Sequence, residues 1–378
     1  MDALIFWTCC ALLLYVYVLY PLTVRVLAAR FGTPVRRGTA LPSVTIIVTA
    51  YNEEKCIRAK LDNISQLDYP PALLSTIVVS DTSTDATEDI ARHYDPARVS
   101  VLRVEGRRGK TACQNTAAAM ARGDVLVFAD ATTQVHPEAL RRLVESFADT
   151  DVGCVTGRVV YVTRDANVTG QGSETYWNYE QRLRAAESAF GSMIGVAGCL
   201  YAVRRCAYVP IDPRLISDFV IAMKMREQGL RTVFAADAVC FEETLDHGSR
   251  ELSMRVRVAV RSLNALIHER RFLNPWRYGR FAWQLWSHKV LRYCSPLLWL
   301  AAILANISLA NQPFYMAILV AQGALIAAGM VGFVLQARRP NLGVFGQPYY
   351  FLLANIASLI AMLRYLKGDR MVTWRPIR

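Results

Sequence analysis

Between Leu4 and Leu27 the sequence is an almost unbroken run of Leu, Val, Ile, Ala and aromatic residues. An α-helix needs roughly 20 such residues to cross the hydrocarbon core of a bilayer. Asp2 is the only charge ahead of the run, where a signal peptide would carry positive residues, so residues 1–30 read as a retained transmembrane anchor. Three further apolar stretches follow at Ser295–Ala310, Phe314–Leu335 and Tyr349–Leu363, and the first of them could begin earlier, through Trp283 and Trp286. Between the two apolar ends lies a charged stretch from Pro42 to Arg292, long enough for one large domain with its own core.

Arginines and lysines cluster beside the apolar runs. Arg25, Arg30, Arg36 and Arg37 follow the first, and Lys289 and Arg292 precede the next, which is the pattern of cytoplasmic flanks. The expectation is an integral protein of the cell or inner membrane with its globular domain in the cytoplasm. The same rule conflicts with itself further on. If Arg338 and Arg339 are inside, a full last span carries Arg364, Lys367, Arg370, Arg375 and Arg378 outside. Either the last stretch is re-entrant or interfacial, or one of the others does not cross.

The net charge of +12 raises nucleic acid as a partner, but that charge flanks apolar runs rather than forming a groove-facing surface, so no nucleic-acid partner is expected. Nine cysteines, odd in number and without a C-x-x-C pair, argue against a disulfide framework or a zinc site.

From Pro42 onward strand and helix signals alternate. Apolar runs at Val44–Val48, Thr76–Ser80, Val99–Val104 and Asp124–Ala129 are separated by helix-like stretches at Glu54–Ser65, Ala86–His93 and Thr111–Ala121. This is the β-α-β rhythm of an α/β domain with a mainly parallel sheet, whose ligands bind beyond the carboxyl ends of the strands. Two strands run into an acid there, at Asp81 and Asp130. Asp85 reads as a helix cap. No G-x-G-x-x-G follows the first strand and no complete phosphate loop occurs, which disfavours a dinucleotide dehydrogenase or a P-loop nucleotidase. Gly109 and Lys110, ahead of a helix, could still hold phosphate through the helix N-terminus and the ammonium.

In order along the chain, these segments resemble the membrane-bound family 2 glycosyltransferases, the group that contains cellulose, chitin and hyaluronan synthases. Residues 42–54 resemble the opening strand and nucleotide-binding turn, with Thr49, Tyr51 and Glu53 on the donor side. Residues 79–87 resemble the acidic motif of the second strand, with Ser80 in place of the first aspartate and Asp81 retained. Lys110 to Asn115 resembles the Lys-to-Asn segment, and Asp130-Ala131-Thr132 the metal-binding D-x-D with its second acid replaced by threonine. Residues 195–205 resemble the glycine-rich acceptor-side segment, with Gly198 and Tyr201 facing the acceptor. Ser217-Asp218 resembles the motif of the catalytic base, with Asp218 retained. The place of Q-x-x-R-W is held by Arg255, Arg257 and Arg261, without Gln or Trp, which weakens the case for a processive polymerase.

The resemblance implies a GT-A-type nucleotide-sugar-binding domain over residues 40–272. An interfacial amphipathic segment is expected at 273–294, C-terminal transmembrane helices at 295–366 and a basic tail at 367–378. It implies an inverting transfer from a nucleoside-diphosphate sugar to a growing polysaccharide or a lipid-linked acceptor. Single transfer to a lipid and a non-catalytic nucleotide-sugar-binding subunit are the alternatives. Asp218 is the expected base, Mg²⁺ or Mn²⁺ on Asp130 the expected cofactor, and Arg257 a cationic contact to the diphosphate. Membrane lipids and export or polymerisation proteins are the further partners implied. Arg250, Arg257, Arg261 and His268 fall in one sector of a helix, as a basic stripe open to either diphosphate or lipid headgroups. Tyr176, Trp177 and Tyr179 could offer a sugar-stacking face, and Trp374 a gating or interfacial one.

Overall fold

A computed structural model describes residues 1–162, 168–243, 248–336 and 343–371, with backbone alone at 168–177 and 248–250. Tyr176, Trp177, Arg250 and Trp374 therefore lie outside the described side chains. The chain divides into two compact units: residues 1–30, 163–186 and 244–370, and residues 31–162, 187–243 and 371–378.

The second unit is built on an eight-stranded sheet. Its strands are β1 (Val44–Ala50), β2 (Leu74–Ser80), β3 (Val99–Arg103), β4 (Val125–Asp130), β5 (Gln134–Val135), β6 (Val152–Val162), β7 (Leu200–Arg204) and β8 (Arg231–Glu243). They are ordered β3-β2-β1-β4-β7-β6-β8-β5. Strands β3, β2, β1 and β4 are parallel, β7 runs antiparallel to both β4 and β6, β6 and β8 are parallel, and β5 is antiparallel to β8. The four parallel strands are the apolar runs read from the sequence; β1 is buried along its whole length, as a strand covered on both faces must be. One core joins β1 and β4 to the helices Ile57–Ser65 and Ala139–Glu145 through Ile46, Val127, Ile57, Leu61, Leu140 and Leu143.

Where β4 begins, Gly123 lies against the backbone of β1. A Cβ there would fall 2.5 Å from the Thr45 amide nitrogen and 2.6 Å from the Val44 carbonyl carbon. Because the obstacle is backbone, Gly123→Ala is expected to cost about 1–3 kcal/mol of overpacking and to lower the thermal midpoint by several degrees. An unchanged midpoint in a thermal melt would refute that reading.

Among the described residues, the first unit holds four helices long and apolar enough to cross a membrane, at Asp2–Phe31, Arg280–Ser308, Pro313–Leu335 and Gly343–Leu366. The second of these starts at Arg280, so the stretch read as interfacial in the sequence is continuous with it from that residue on. Phe6 and Cys9 of the first pack on Ala302 and Ala305 of the second. Gly332 of the third meets the fourth so closely that a Cβ would lie 2.7 Å from the Tyr349 Cβ, the close backbone approach that small residues permit between apolar helices. Pro21 has no N–H to offer the carbonyl of Tyr17, and the Tyr179 hydroxyl donates to that carbonyl instead, at 3.1 Å.

On the helix Gly248–His268, Arg257 is half-buried, Arg261 buried and His268 exposed. The expected basic stripe is thus not a uniform surface among the described residues. Arg255 pairs with Glu251 at 3.1 Å and lies over the Tyr350 ring. Such pairing follows from the apolar surroundings, in which a cation is held only beside an acid or a ring face.

Candidate active site

The turns after β1 and β2 are laced together side by side, as parallel neighbours at a common sheet edge allow. The Asn52 amide donates to the Ser83 hydroxyl at 3.1 Å, the Thr84 amide to Asn52 Oδ1 at 2.8 Å, and the Glu53 amide to the Thr87 hydroxyl at 2.7 Å. Asn52 and Thr82 take positive φ to make these turns, a conformation that asparagine tolerates well. Ser80, standing where the resembling family has an acid, exchanges a 3.0 Å hydrogen bond with Ser83. Asp85 accepts from the Thr87 amide at 3.0 Å, but the N-cap of the helix Thr87–Arg92 is Ala86, so Asp85 stands one residue ahead of the cap expected of it.

Asp81 differs from its expected place on the donor. Its side chain is fully buried, and its two oxygens accept from the amides of Arg108 at 2.7 Å and Gly109 at 3.1 Å. A buried carboxylate needs such donors, and here they fix the turn that leads into the helix Lys110–Met120. Gly109, at φ +88°, is the residue that can make that turn. On the outer side, the Arg107 guanidinium lies 3.1 Å from the centroid of the half-buried Tyr51 ring. Glu53 and Thr49 are 3% and 1% exposed. Thr49 sits in register with Asp130 on β4.

Lys110 begins its helix and reaches across to Asp130. Its ammonium pairs with Asp130 Oδ1 and donates to the Gly198 carbonyl at 3.1 Å. Gly198 in turn lies against Asp218, where a Cβ would come within 2.6 Å of the Asp218 Oδ2. Asp218 belongs to the first turn of the helix Ser217–Glu227, whose N-cap is Ile216, so it is not the cap. Its backbone carbonyl accepts from the Val196 amide at 2.8 Å, tying the glycine-containing loop to the helix start. The structure thus brings Lys110, Asp130, Gly198 and Asp218 together.

Tyr201 departs from its expected place facing the acceptor. It is 1% exposed, with its ring stacked on Phe128 at 4.8 Å, and is a core residue. Burial holds its phenol well above the usual range. Because β7 pairs antiparallel with β4, Tyr201 falls opposite Phe128 and packs beside it. Arg257 belongs to the other unit.

Two residues that sequence reasoning missed stand behind Asp130. Glu242, near the end of β8, accepts a hydrogen bond from the Thr133 hydroxyl, and its carboxyl is pushed up to about 7 by burial and then by the charge of Asp130. Lys60 is completely enclosed, and its ammonium donates to the Thr133 carbonyl at 2.7 Å. Burial draws its pKa down to about 8 against the opposing pull of nearby groups including Asp130 and Glu242. Asn63, one turn further along, exchanges 2.9 and 2.8 Å bonds with the Val135 backbone. The segment that follows Asp130 is therefore clamped from beneath.

A divalent cation fits this corner by its oxygen donors. Asp130, part-exposed and paired with Lys110, offers a carboxylate, and Thr132, exposed beside it, offers a hydroxyl. Among the described residues no three His, Cys, Asp or Glu side chains converge to hold an ion alone, so oxygens from outside the chain would have to complete its shell.

Residues 45–208 match the family described as Glycosyl transferase family 2. The chain is 32% identical over 238 residues to an N-acetylglucosaminyltransferase of Neorhizobium galegae, covering 58% of this chain and 54% of that one. It is 27% identical over 172 residues to a beta-monoglucosyldiacylglycerol synthase of a Nostoc species, covering 44% and 37%. The chain thus spans about half or less of the length of these curated relatives. Among solved structures it is similar to the mannosyltransferase PcManGT of Pyrobaculum calidifontis, solved with GDP-Man and Mn²⁺, at a TM-score of 0.73 and 25% identity over 97% of this chain and 99% of that one.

Proposed function

The chain carries a family 2 glycosyltransferase domain, and we propose that it uses that domain to move a sugar from a nucleoside-diphosphate sugar to an acceptor hydroxyl at the membrane, inverting the anomeric carbon. The observation that carries this reading is the run of contacts Asp130–Lys110–Gly198–Asp218, which brings a cation and a second carboxylate to either side of one glycine.

In a single displacement the acceptor oxygen attacks the anomeric carbon as the bond to the diphosphate breaks. Asp218 takes the proton from the attacking hydroxyl, and the leaving diphosphate keeps the bonding electrons. Lys110, at the head of its helix, holds phosphate oxygens with its ammonium and the backbone amides of that turn. Asp81 acts at one remove by fixing the turn that aims Lys110. Tyr51 offers the nucleoside a ring face whose outer side Arg107 covers. Thr49 and Glu53 support the floor of the donor site from their buried positions. Asp130 with Thr132 would hold Mg²⁺ or Mn²⁺, which when bound neutralises the diphosphate as its charge develops. For Arg257 we keep a contact to the diphosphate as the proposal.

The acceptor we propose is a growing polysaccharide or a lipid-linked sugar, presented at the cytoplasmic face where the arginines of the first span's flank would lie. The likeness to a glucosyldiacylglycerol synthase favours the alternative of a single transfer to a lipid. A ladder of products from purified membranes selects polymerisation, and one defined product selects single transfer.

Metal use is tested by repairing the motif. Thr132→Asp is expected to lower the Mn²⁺ concentration for half-maximal activity several-fold by adding a charged oxygen ligand, and Asp130→Ala to abolish activity at every Mn²⁺ level. Equal Mn²⁺ dependence of Thr132→Asp and wild type would sink the assignment of the cation to this corner. The anomeric configuration of the product, read by NMR, tests the single displacement: retention would rule it out.

A further inference from the structure

We infer that the first unit carries a binding site for the phosphate of an anionic membrane phospholipid, in the groove between the end of the first span and the helix Val168–Phe190. This open groove of about 520 Å³ is lined by Arg25, Ala28, Ala29, Arg182, Ala185 and Ala186.

Its height in the membrane follows from the apolar pattern. About 20 residues fill the hydrocarbon core, and the helix Asp2–Phe31 has 30, so its last turns emerge among the headgroups. Tyr20 and Val24 of that helix pack on Leu183 and Ala186, which fixes Arg182 at the same level as Arg25. Both arginines are exposed, and neither has an ion pair or hydrogen bond to another described residue. Glu180, two positions before Arg182 on the same helix, is already taken. Glu180 accepts from His288 at 2.6 Å and Arg292 at 2.7 Å, with Arg184 at 3.8 Å.

Two exposed guanidiniums over a floor of alanines at headgroup depth fit an anion with apolar chains attached. Guanidinium is the side chain that grips a phosphate with two parallel bonds, and the four alanines leave room for its glycerol and the start of the acyl chains. A soluble phosphate has the charge but nothing for the alanine floor, so the occupant is the phospholipid.

The test uses the full chain in neutral detergent, titrated with phosphatidylglycerol, phosphatidylcholine or glycerol 3-phosphate and followed by native mass spectrometry and thermal unfolding. Phosphatidylglycerol is expected to bind and stabilise in preference to phosphatidylcholine, with an affinity that falls as NaCl rises. Each arginine removed should weaken it about 5-fold, in Arg25→Ala, Arg182→Ala and the double variant. Arg58→Ala, a loss of one exposed charge in the other unit, should bind like wild type. Equal binding of phosphatidylcholine, undiminished phosphatidylglycerol binding in the double variant, salt-independent binding, or competition by glycerol 3-phosphate at the lipid's own concentration would each overturn the proposal.

Discussion

Asp218→Asn is expected to lower turnover by about 10²–10⁴-fold, the range that a positioned general base supplies, while donor affinity stays near that of wild type. The two carboxylates of the site divide the labour. Asp130 is paired to the ammonium of Lys110, on the side proposed for the diphosphate, whereas the Oδ2 of Asp218 lies against the Cα of Gly198. Asparagine keeps the size and the helix start but cannot accept the hydroxyl proton. Donor affinity, read by thermal stabilisation with the nucleotide sugar, separates this outcome from misfolding. Near-normal turnover would remove Asp218 from the role, and loss of donor binding would move it to the donor side.

Gly198→Ala is expected to be nearly as damaging, for a geometric reason. The new methyl would lie 2.6 Å from the Asp218 Oδ2 and 3.3 Å from its Cβ and Cγ, so the carboxylate must turn away or the loop must shift. A displacement of the order of 1 Å at a reacting group costs about 10²-fold in rate. Because the Gly198 carbonyl also receives Lys110, a shifted loop loosens the diphosphate clamp as well. Gly195→Ala is the control: its Cβ would sit at 3.4 Å from the Phe219 ring, an ordinary contact, and should leave kcat close to wild type. Equal activity of the two variants would mean that Gly198 does not shape the base.

The parallel half of the sheet was legible because each strand is a short apolar run bounded by turn residues and ending at a recognisable edge. Asp81 and Asp130 could be picked out as acids on that edge, but the sequence could not say that one is enclosed by the following loop and the other left open. That difference depends on the Gly109 turn folding back over Asp81. Tyr201 was placed on the acceptor side by the resemblance of residues 195–205 to a family segment, which does not say which way each side chain points. Its burial comes from antiparallel pairing of β7 with β4, which no local pattern announces. Glu242 was missed for the same reason: it lies 112 positions after Asp130 and comes near it only because β5 and β8 pair, Gln134 opposite Phe241. The acid that follows Cys240 and Phe241 at a strand end was the available signal. Lys60 gave none, since a lysine on a helix is ordinarily a solvated one.

The central claim is transfer from a nucleoside-diphosphate sugar, and it is tested most directly by nucleoside-diphosphate release from a panel of nucleotide sugars. The assay uses membranes bearing wild type, Asp218→Asn or Asp130→Ala, with Mn²⁺ and the native membrane acceptors present. Release is expected with one donor and from wild type alone. Release that persists undiminished in both variants would contradict it.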